Sequence, residues 1–387
     1  MALPLPAVQD RLLNHRAVDW LYRRFSPELQ PYPTLKEALV EHFPSFVYAY
    51  IARRLTGSLQ DPQRITLRLT EYVHDNVFWP SEGYAVKDTA PIDVLVRGIG
   101  VCDQQAHLLI RLVGYRNIPA YMVFLYSPIS DATPHSVAKV YFAERWRYVD
   151  PLYRLQAKDR EGRFATRLQI ASGEASFSPI SPESIGLESY RQLYEKRPMH
   201  FLRNLAADPQ FFESVLRHEP LPAGNREQTW KPLLSLPDRI GSGLFLDLYL
   251  RILQEEQHAD KAEWIYYAAR IRHILLKFPE ARRGYARLLR EYPDSPHKEE
   301  ALFFMGLAAY HEGNHAEALK IHQEFIRRYP DSIWMGYAQL YLAKSFQLAG
   351  NYRRARNLFK ALAIQSRGEP SRMARWALSL MKDLPAT

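Results

Sequence analysis

The sequence predicts an α+β domain in its N-terminal half and an all-α array of repeats at its C-terminus. Three observations carry that reading. A motif set recurs at a spacing of 37 residues in the last third of the chain. Around residue 113 the hydrophobic pattern changes from helical period 3.6 to the period-2 alternation of strands. Between these patterns, "RGIGVCDQQAHLLIRLV" (Arg97–Val113) places the only cysteine of the chain, Cys102, at the head of an apolar helix.

Composition bounds the rest. With 387 residues, 47% hydrophobic and 24% charged, the chain is globular and long enough for more than one core. No run of eighteen apolar residues occurs, and the opening "MALPLPAVQDRLLNHRAVDW" has no basic leader with an apolar stretch behind it, so neither a membrane span nor a signal peptide is expected. The expected compartment is the cytoplasm, or the periplasm if a leader precedes this sequence. A single cysteine excludes an intramolecular disulfide and a cysteine-rich zinc site, and fits a reducing compartment. No HExxH spacing occurs. His311 and His315 flank the turn-like "EGN" and read as surface residues, so no metal and no cofactor are expected. Charge is uneven: residues 1–260 hold 30 Lys+Arg against 30 Asp+Glu, whereas residues 261–387 hold 21 against 12, and carry the whole net charge of +9. That excess suits an acidic partner or an ordinary solvated helical surface; no nucleic-acid-binding module accompanies it.

The repeats come next. "YPDS" occurs at Tyr292–Ser295 and Tyr329–Ser332, and "GN" at Gly313–Asn314 and Gly350–Asn351. Each unit reads as helix, Gly-Asn turn, helix and a Pro stop. Gly306, Ala309, Ala343 and Ala349 are small residues at expected close approaches, while Leu302, Phe325, Leu342 and Phe359 fill the layers between. A more degenerate unit precedes them ("KFPEARRGYARLLREYPDS"), and "SRMARWALSLMKDL" reads as a capping helix. This resembles the tetratricopeptide family, in the slightly longer bacterial form with "YPDSP" links. The resemblance implies a stacked solenoid with a concave face for a protein or peptide partner.

Ala106, Leu109, Ile110 and Val113 fall at helical spacing behind Cys102, so the cysteine lies in the first turn. There the partial positive charge and free N–H groups of the helix start favour thiolate, the attacking form, and can stabilise an oxyanion. Asp103 is a helix-start capping residue; Gln104 and Gln105 face solvent or cap helix packing. Ala120–Pro128 is a strand candidate, and His135–Tyr153 reads as two strands about a turn near residues 143–145. Folding there brings His135 and Asp150 roughly opposite, with a bulge absorbing a one-residue offset. A cysteine nucleophile needs this set: a histidine to move the proton and a carboxylate to orient it.

"GIGVCDQQAHLL", "RNIPAYMV" and "HSVAKVYFAERWRYVDP" resemble the core of the transglutaminase-like superfamily, a papain-like α+β fold, over roughly residues 60–155. The resemblance implies Cys102 as nucleophile, His135 as general base and acid, and Asp150 as orienter. Ser136 and Val137 stand where that family commonly has Ala and Trp; Asn117 and Tyr121 replace the Gly and Arg around "IPA". No tryptophan lies at the upstream distance of the oxyanion-side one in the animal crosslinking enzymes, and Trp79 reads as a core residue. The triad therefore carries over and substrate specificity does not.

The expected organisation is a helical extension over 1–55, the papain-like core over 56–158, a Pro-interrupted helical connector over 159–255, and repeats with a cap over 256–387. In the extension "FPSFVYAYIARRL" packs against a core, and "DPQRITLRLTEYVHDNVFW" is an amphipathic helix backing the catalytic one. "SPESIGLESYRQLYEKRP" and "GLFLDLYLRILQEEQ" are helices of the connector. The functional expectation is a cysteine protease, amidase or acyltransferase acting on an amide of a protein or peptide through a thioester, with repeats that recruit substrate or partner. The alternatives are a catalytically inactive binding module in a repeat scaffold, and a binder of anionic polymers through the basic repeats.

Overall fold

The computed structural model describes residues 43–80, 90–125, 135–163, 176–179, 261–365 and 368–381, with a few isolated positions between. The two connector helices read from the sequence, and the extension before residue 43, lie outside the described residues.

The N-terminal domain starts with α1 (Phe43–Thr56), whose Phe46, Val47, Tyr48 and Ile51 are buried. Helix α2 (Pro62–Asn76) begins where its composition says it must: Asp61 caps it by accepting the Gln63 N–H at 3.0 Å, and Pro62 occupies the first turn. Its stripe of Ile65, Leu69 and Val73 packs inward, while Arg64, Arg68 and Glu71 stay outside. Helix α3 (Pro91–Arg97) ends at Gly98, which supplies the left-handed φ of +74° that closes a helix. Helix α4 (Cys102–Gly114) follows and is the spine of the domain: Leu108, Leu109, Leu112 and Val113 are buried between α2 and the sheet.

That sheet is an antiparallel meander in sequence order, β1 (Ala120–Leu125), β2 (His135–Phe142), β3 (Arg145–Asp150), β4 (Leu155–Lys158) and β5 (Ser176–Pro179). It reaches beyond residue 158, so part of the segment read as a helical connector adds a strand to the core's own sheet. The β2–β3 turn is Ala143–Glu144, both at positive φ (49° and 56°), as a two-residue type I′ hairpin requires.

The C-terminal part is three helical pairs, α5 (Lys261–Ile274) with α6 (Phe278–Glu291), α7 (Lys298–His311) with α8 (His315–Arg328), and α9 (Met335–Leu348) with α10 (Tyr352–Gln365), then a capping helix α11 (Glu369–Leu380). Asn314 caps α8 by accepting the Glu317 N–H, the role the Gly-Asn turns suggest. Gly306 lies where a Cβ would stand 2.7 Å from the His322 ring, so the close approach of α7 and α8 requires glycine. Ala309 and Ala343 are buried as expected, but Ala349 caps α9 at an exposed turn.

The two parts share their hydrophobic cores. Trp264, Ala268 and Ile271 of α5 join the cluster around α4, while Ala262, Ile265, Tyr266 and Ala269 join the repeat cluster, which also takes in Phe78, Ile99, Leu152 and Tyr153. The Phe78 ring is ringed by Phe303, Trp334, Tyr337 and Tyr341, at centroid distances of 4.7 to 6.1 Å. First helices of the repeat pairs make these contacts, so the N-terminal domain covers their aromatic faces. Among the described residues no helix is long and apolar enough to cross a membrane.

Candidate active site

Cys102 is placed from both sides. Phe78 donates to the Gly98 carbonyl at 2.8 Å and accepts from Gly100 N–H at 2.9 Å, so "GIG" runs as a short parallel bridge beside Phe78. A Cβ on Gly100 would meet Val94 at 2.7 Å and Val77 at 2.9 Å, which is why only glycine lets this strand lie so deep. The chain then turns into α4 with Cys102 as its first residue, half-buried and packed against the repeat core. Gln104 accepts the Val101 N–H at 3.2 Å, and Asp103 accepts the Gln104 N–H at 2.9 Å. Both side chains thus satisfy orphan donors of the first turn, in line with their expected capping. Neither glutamine faces solvent: Gln104 is 8% exposed and Gln105 is fully buried, donating to the Gly100 carbonyl at 3.0 Å.

His135 opens β2 and Asp150 closes β3, both 2% exposed, with Nε2 and Oδ2 2.6 Å apart. The other carboxylate oxygen accepts the Tyr153 N–H at 3.1 Å. Burial alone would push the imidazolium down. The adjoining Asp150 carboxylate, hydrogen-bonded to it, outweighs that, and with the Cys102 contact holds His135 up at about 10. Nε2 is committed to Asp150, and Cys102 is the second side-chain partner of His135.

The expected bulge does not occur. The ladder runs unbroken from Phe142↔Arg145 to Ala138↔Val149, and its next step sets Asp150 against Val137. His135 lies two residues further along the same face, so the pair meets diagonally across the hairpin, a reach long side chains make without breaking the register. The turn sits one residue later than a direct pairing would need.

Three further layers hold the set. His74 of α2, fully enclosed, donates from Nδ1 to the Leu152 carbonyl at 2.9 Å; burial lowers it to about 3, so it is a neutral donor. Arg154 forms an ion pair with Asp75. Together they fix the turn that follows Asp150. The Tyr153 ring lies 5.3 Å from the His135 ring, and burial pushes its phenol up, so it screens the pair as a neutral group. From the repeats, buried Glu369 accepts the Trp79 N–H at 3.1 Å and the Tyr337 O–H at 2.6 Å. Trp79 itself is partly buried against the repeat core, close to its expected role.

Sequence reasoning missed these residues unequally. Tyr153 follows Asp150 by three positions, and His74 lies within the amphipathic helix already identified, so their neighbourhood was visible. Nothing local ties Tyr337 or Glu369 to a site more than two hundred residues away. Of the two histidines read as surface groups, His311 is instead held 3.4 Å from His273 and against Phe278 and Tyr341, and burial lowers it to about 4. The "EGN" between them is the expected turn; it is the first repeat pair, packed beside α7, that covers the imidazole.

Comparison with known proteins finds two family models along the chain. Residues 49–151 match the family model of the transglutaminase-like superfamily, and residues 300–332 and 337–365 match that of the tetratricopeptide repeat. No curated protein matches the chain. The chain thus combines a segment similar to the transglutaminase-like superfamily, within which Cys102, His135 and Asp150 lie, with C-terminal segments similar to tetratricopeptide repeats.

Proposed function

We propose that the chain is a cysteine enzyme acting on an amide of a protein or peptide, with Cys102 as nucleophile, His135 as acid and base, and Asp150 as orienter. The observation that carries it is His135 held between Asp150 and Cys102 at the first turn of α4. An imidazolium that persists well above neutral pH favours a thiolate beside it, so the pair starts charged. The sulfur attacks the amide carbon, and the helix-start N–H groups face the developing oxyanion. As the C–N bond breaks, the imidazolium proton passes to the leaving nitrogen, and a thioester remains. Water, or an amine, then gives its proton to His135 and attacks the thioester, releasing acid or a new amide and restoring the thiolate. Hydrolysis and acyl transfer share every step before that last attack. The repeats serve a protein partner, and their exposed arginines suit an acidic one, although several are already paired along their helices (Arg287 with Glu291, Arg328 with Glu324).

Alkylation of Cys102 tests this. At pH 7 the native protein should react about tenfold faster than His135→Ala, which lacks the imidazolium beside the sulfur, and the gap should narrow as pH rises to 9–10. Equal rates at pH 7 would leave the domain a binding module.

A further inference from the structure

The charge excess of the repeats is concentrated in their last pair and cap. Residues 261–332 hold 12 Lys+Arg against 10 Asp+Glu, whereas residues 333–387 hold 9 against 2. From Ser332 to Gly368 the chain has no Asp or Glu. The 37-residue register shows which carboxylates are missing: Ala349, Arg354 and Ala361 stand where the preceding pair has Glu312, Glu317 and Glu324. There those groups hold cations, Arg282 on Glu312, Lys320 on Glu317 and Arg328 on Glu324. On α10, Arg353, Arg354 and Lys360 have no ion-pair partner among the described residues. They are also aligned. Arg353, Asn357, Lys360 and Ile364 follow one another at helical spacing, are all exposed, and lie opposite the buried Ala355, Phe359 and Leu362. The stripe they form is about 16 Å long. Apolar side chains mark its two ends. Ile364 is 86% exposed where the preceding pair has Arg327, and Leu348, at the turn into α10, is 53% exposed. Side chains so open add little to the fold, and the end of a solenoid ordinarily presents a polar face.

We propose that the outer face of α10 docks an acidic amphipathic segment of a partner protein. Its carboxylates meet Arg353, Arg354 and Lys360, and its apolar residues rest on Ile364 and Leu348. Cations without partners call for an anion, and apolar ends about three turns apart call for apolar side chains spaced along a helix. A nucleic acid fits less well: among the described residues none of the exposed large apolar side chains of the repeats is aromatic, and single-stranded bases bind by stacking on rings. The placement follows from the fold as well. Phe78 of the N-terminal domain already occupies the aromatic faces of α7 and α9, so an outer helix is what the last pair has left to offer. This deepens the partner-binding role proposed for the repeats and is independent of the thiol chemistry at Cys102, so the two can fail separately.

Titration of the full-length Cys102→Ala protein into a labelled peptide of alternating Glu and Leu pairs (acetyl-EELLEELLEELL amide), followed by fluorescence anisotropy, provides the test. The peptide should bind saturably, and more weakly as salt is raised. Arg354→Glu and Ile364→Arg each restore the residue of the preceding pair, which the fold already accommodates at that position. Arg354→Glu should weaken binding about tenfold. Ile364→Arg should weaken this peptide several-fold and leave the binding of a polyglutamate peptide no weaker. Arg283→Glu on α6 makes the same change in net charge at an exposed arginine of the first pair, and should leave the affinity unchanged. No saturable binding at millimolar concentration overturns the proposal. Equal weakening by Arg283→Glu and Arg354→Glu overturns the assignment to α10, since the peptide then reads only net charge. Binding to vesicles of phosphatidylserine and phosphatidylcholine without binding to the peptide overturns the protein partner in favour of a lipid surface.

Discussion

His322 carries a cost that the rest of its helix does not explain. It is fully buried in α8 beneath Gly306, stacked on Tyr341, and among the described residues neither ring nitrogen has a hydrogen-bond partner. Burial lowers it from 6.5 to about 3, so the folded protein refuses a proton that the unfolded chain accepts. Its contribution to stability is therefore intact above pH 6.5 and is lost as pH falls toward 3, at about 1.4 kcal/mol per pH unit. A ring of similar shape without the nitrogens removes both the orphan groups and the proton linkage. His322→Phe is expected to be neutral or stabilising at pH 7, and to gain about a further 2 kcal/mol over the native protein by pH 5. Denaturant unfolding at the two pH values measures this. An unchanged difference between them would mean that His322 is protonated in the fold. His135 is buried to nearly the same depth but is displaced in the opposite direction, because Asp150 stands 2.6 Å from it. Burial sets the cost of charge, and the partner decides whether it is met.

Elements in this molecule were legible where one period and one punctuation mark agreed. Helix α4 was readable because Ala106, Leu109, Ile110 and Val113 repeat behind a glycine-bounded turn, and the hairpin because alternating strands flank "AER". The register was not: the ladder turns on Ala143–Glu144, neither of them a residue that advertises a type I′ turn. The turn itself falls within the expected residues 143–145; the bulge came from expecting His135 and Asp150 to pair directly, where the unbroken ladder lets them meet diagonally. Strand β5 escaped notice because four residues, Ser176–Pro179, hold too little pattern to register outside a sheet that already has an edge to offer. The repeat helices were the opposite case, with small residues and caps recurring at fixed spacing. Gly306 tests that reading at the level of one helix pair. Adding a methyl group there presses on the His322 ring from 2.7 to 3.0 Å, and the ring has the Tyr341 face behind it. Gly306→Ala should cost about 1–3 kcal/mol despite the higher helix propensity of alanine. Combining it with His322→Ala should recover much of that loss, because the clash partner is gone. A Gly306→Ala protein as stable as the native one would show that α7 and α8 have room to part.

Seen whole, the N-terminal and repeat parts of the molecule share their packing through one helix. Helix α5 begins the repeats, yet one of its faces completes the core around α4 and the other begins the repeat core. Arg270, 1% exposed, donates to the last carbonyls of α3 at Leu95 (3.1 Å) and Val96 (2.7 Å) while lying 3.6 Å over the Phe304 ring. The Tyr72 hydroxyl donates to the Ile274 carbonyl at 2.7 Å, and Trp79 is bonded to Glu369. Every one of these links ends within a few residues of the segment that carries Cys102 or of the bridge beside it. The repeats are thus part of the frame that holds Cys102, and a sequence read one period at a time has no way to register a partner so far along the chain. Two consequences can be measured together. The native protein should melt in a single calorimetric transition, its calorimetric and van't Hoff enthalpies agreeing, where two independent domains would give two transitions. Phe78→Ala, which removes a ring of the N-terminal domain lodged among Phe303, Trp334, Tyr337 and Tyr341, should cost about 3–5 kcal/mol. The loss should appear in hydrogen exchange at α7 and α9 as well as at α4, and Cys102 alkylation should slow with it. A Phe78→Ala protein in which only the N-terminal domain loosens would show that the shared core is a contact and not a coupling.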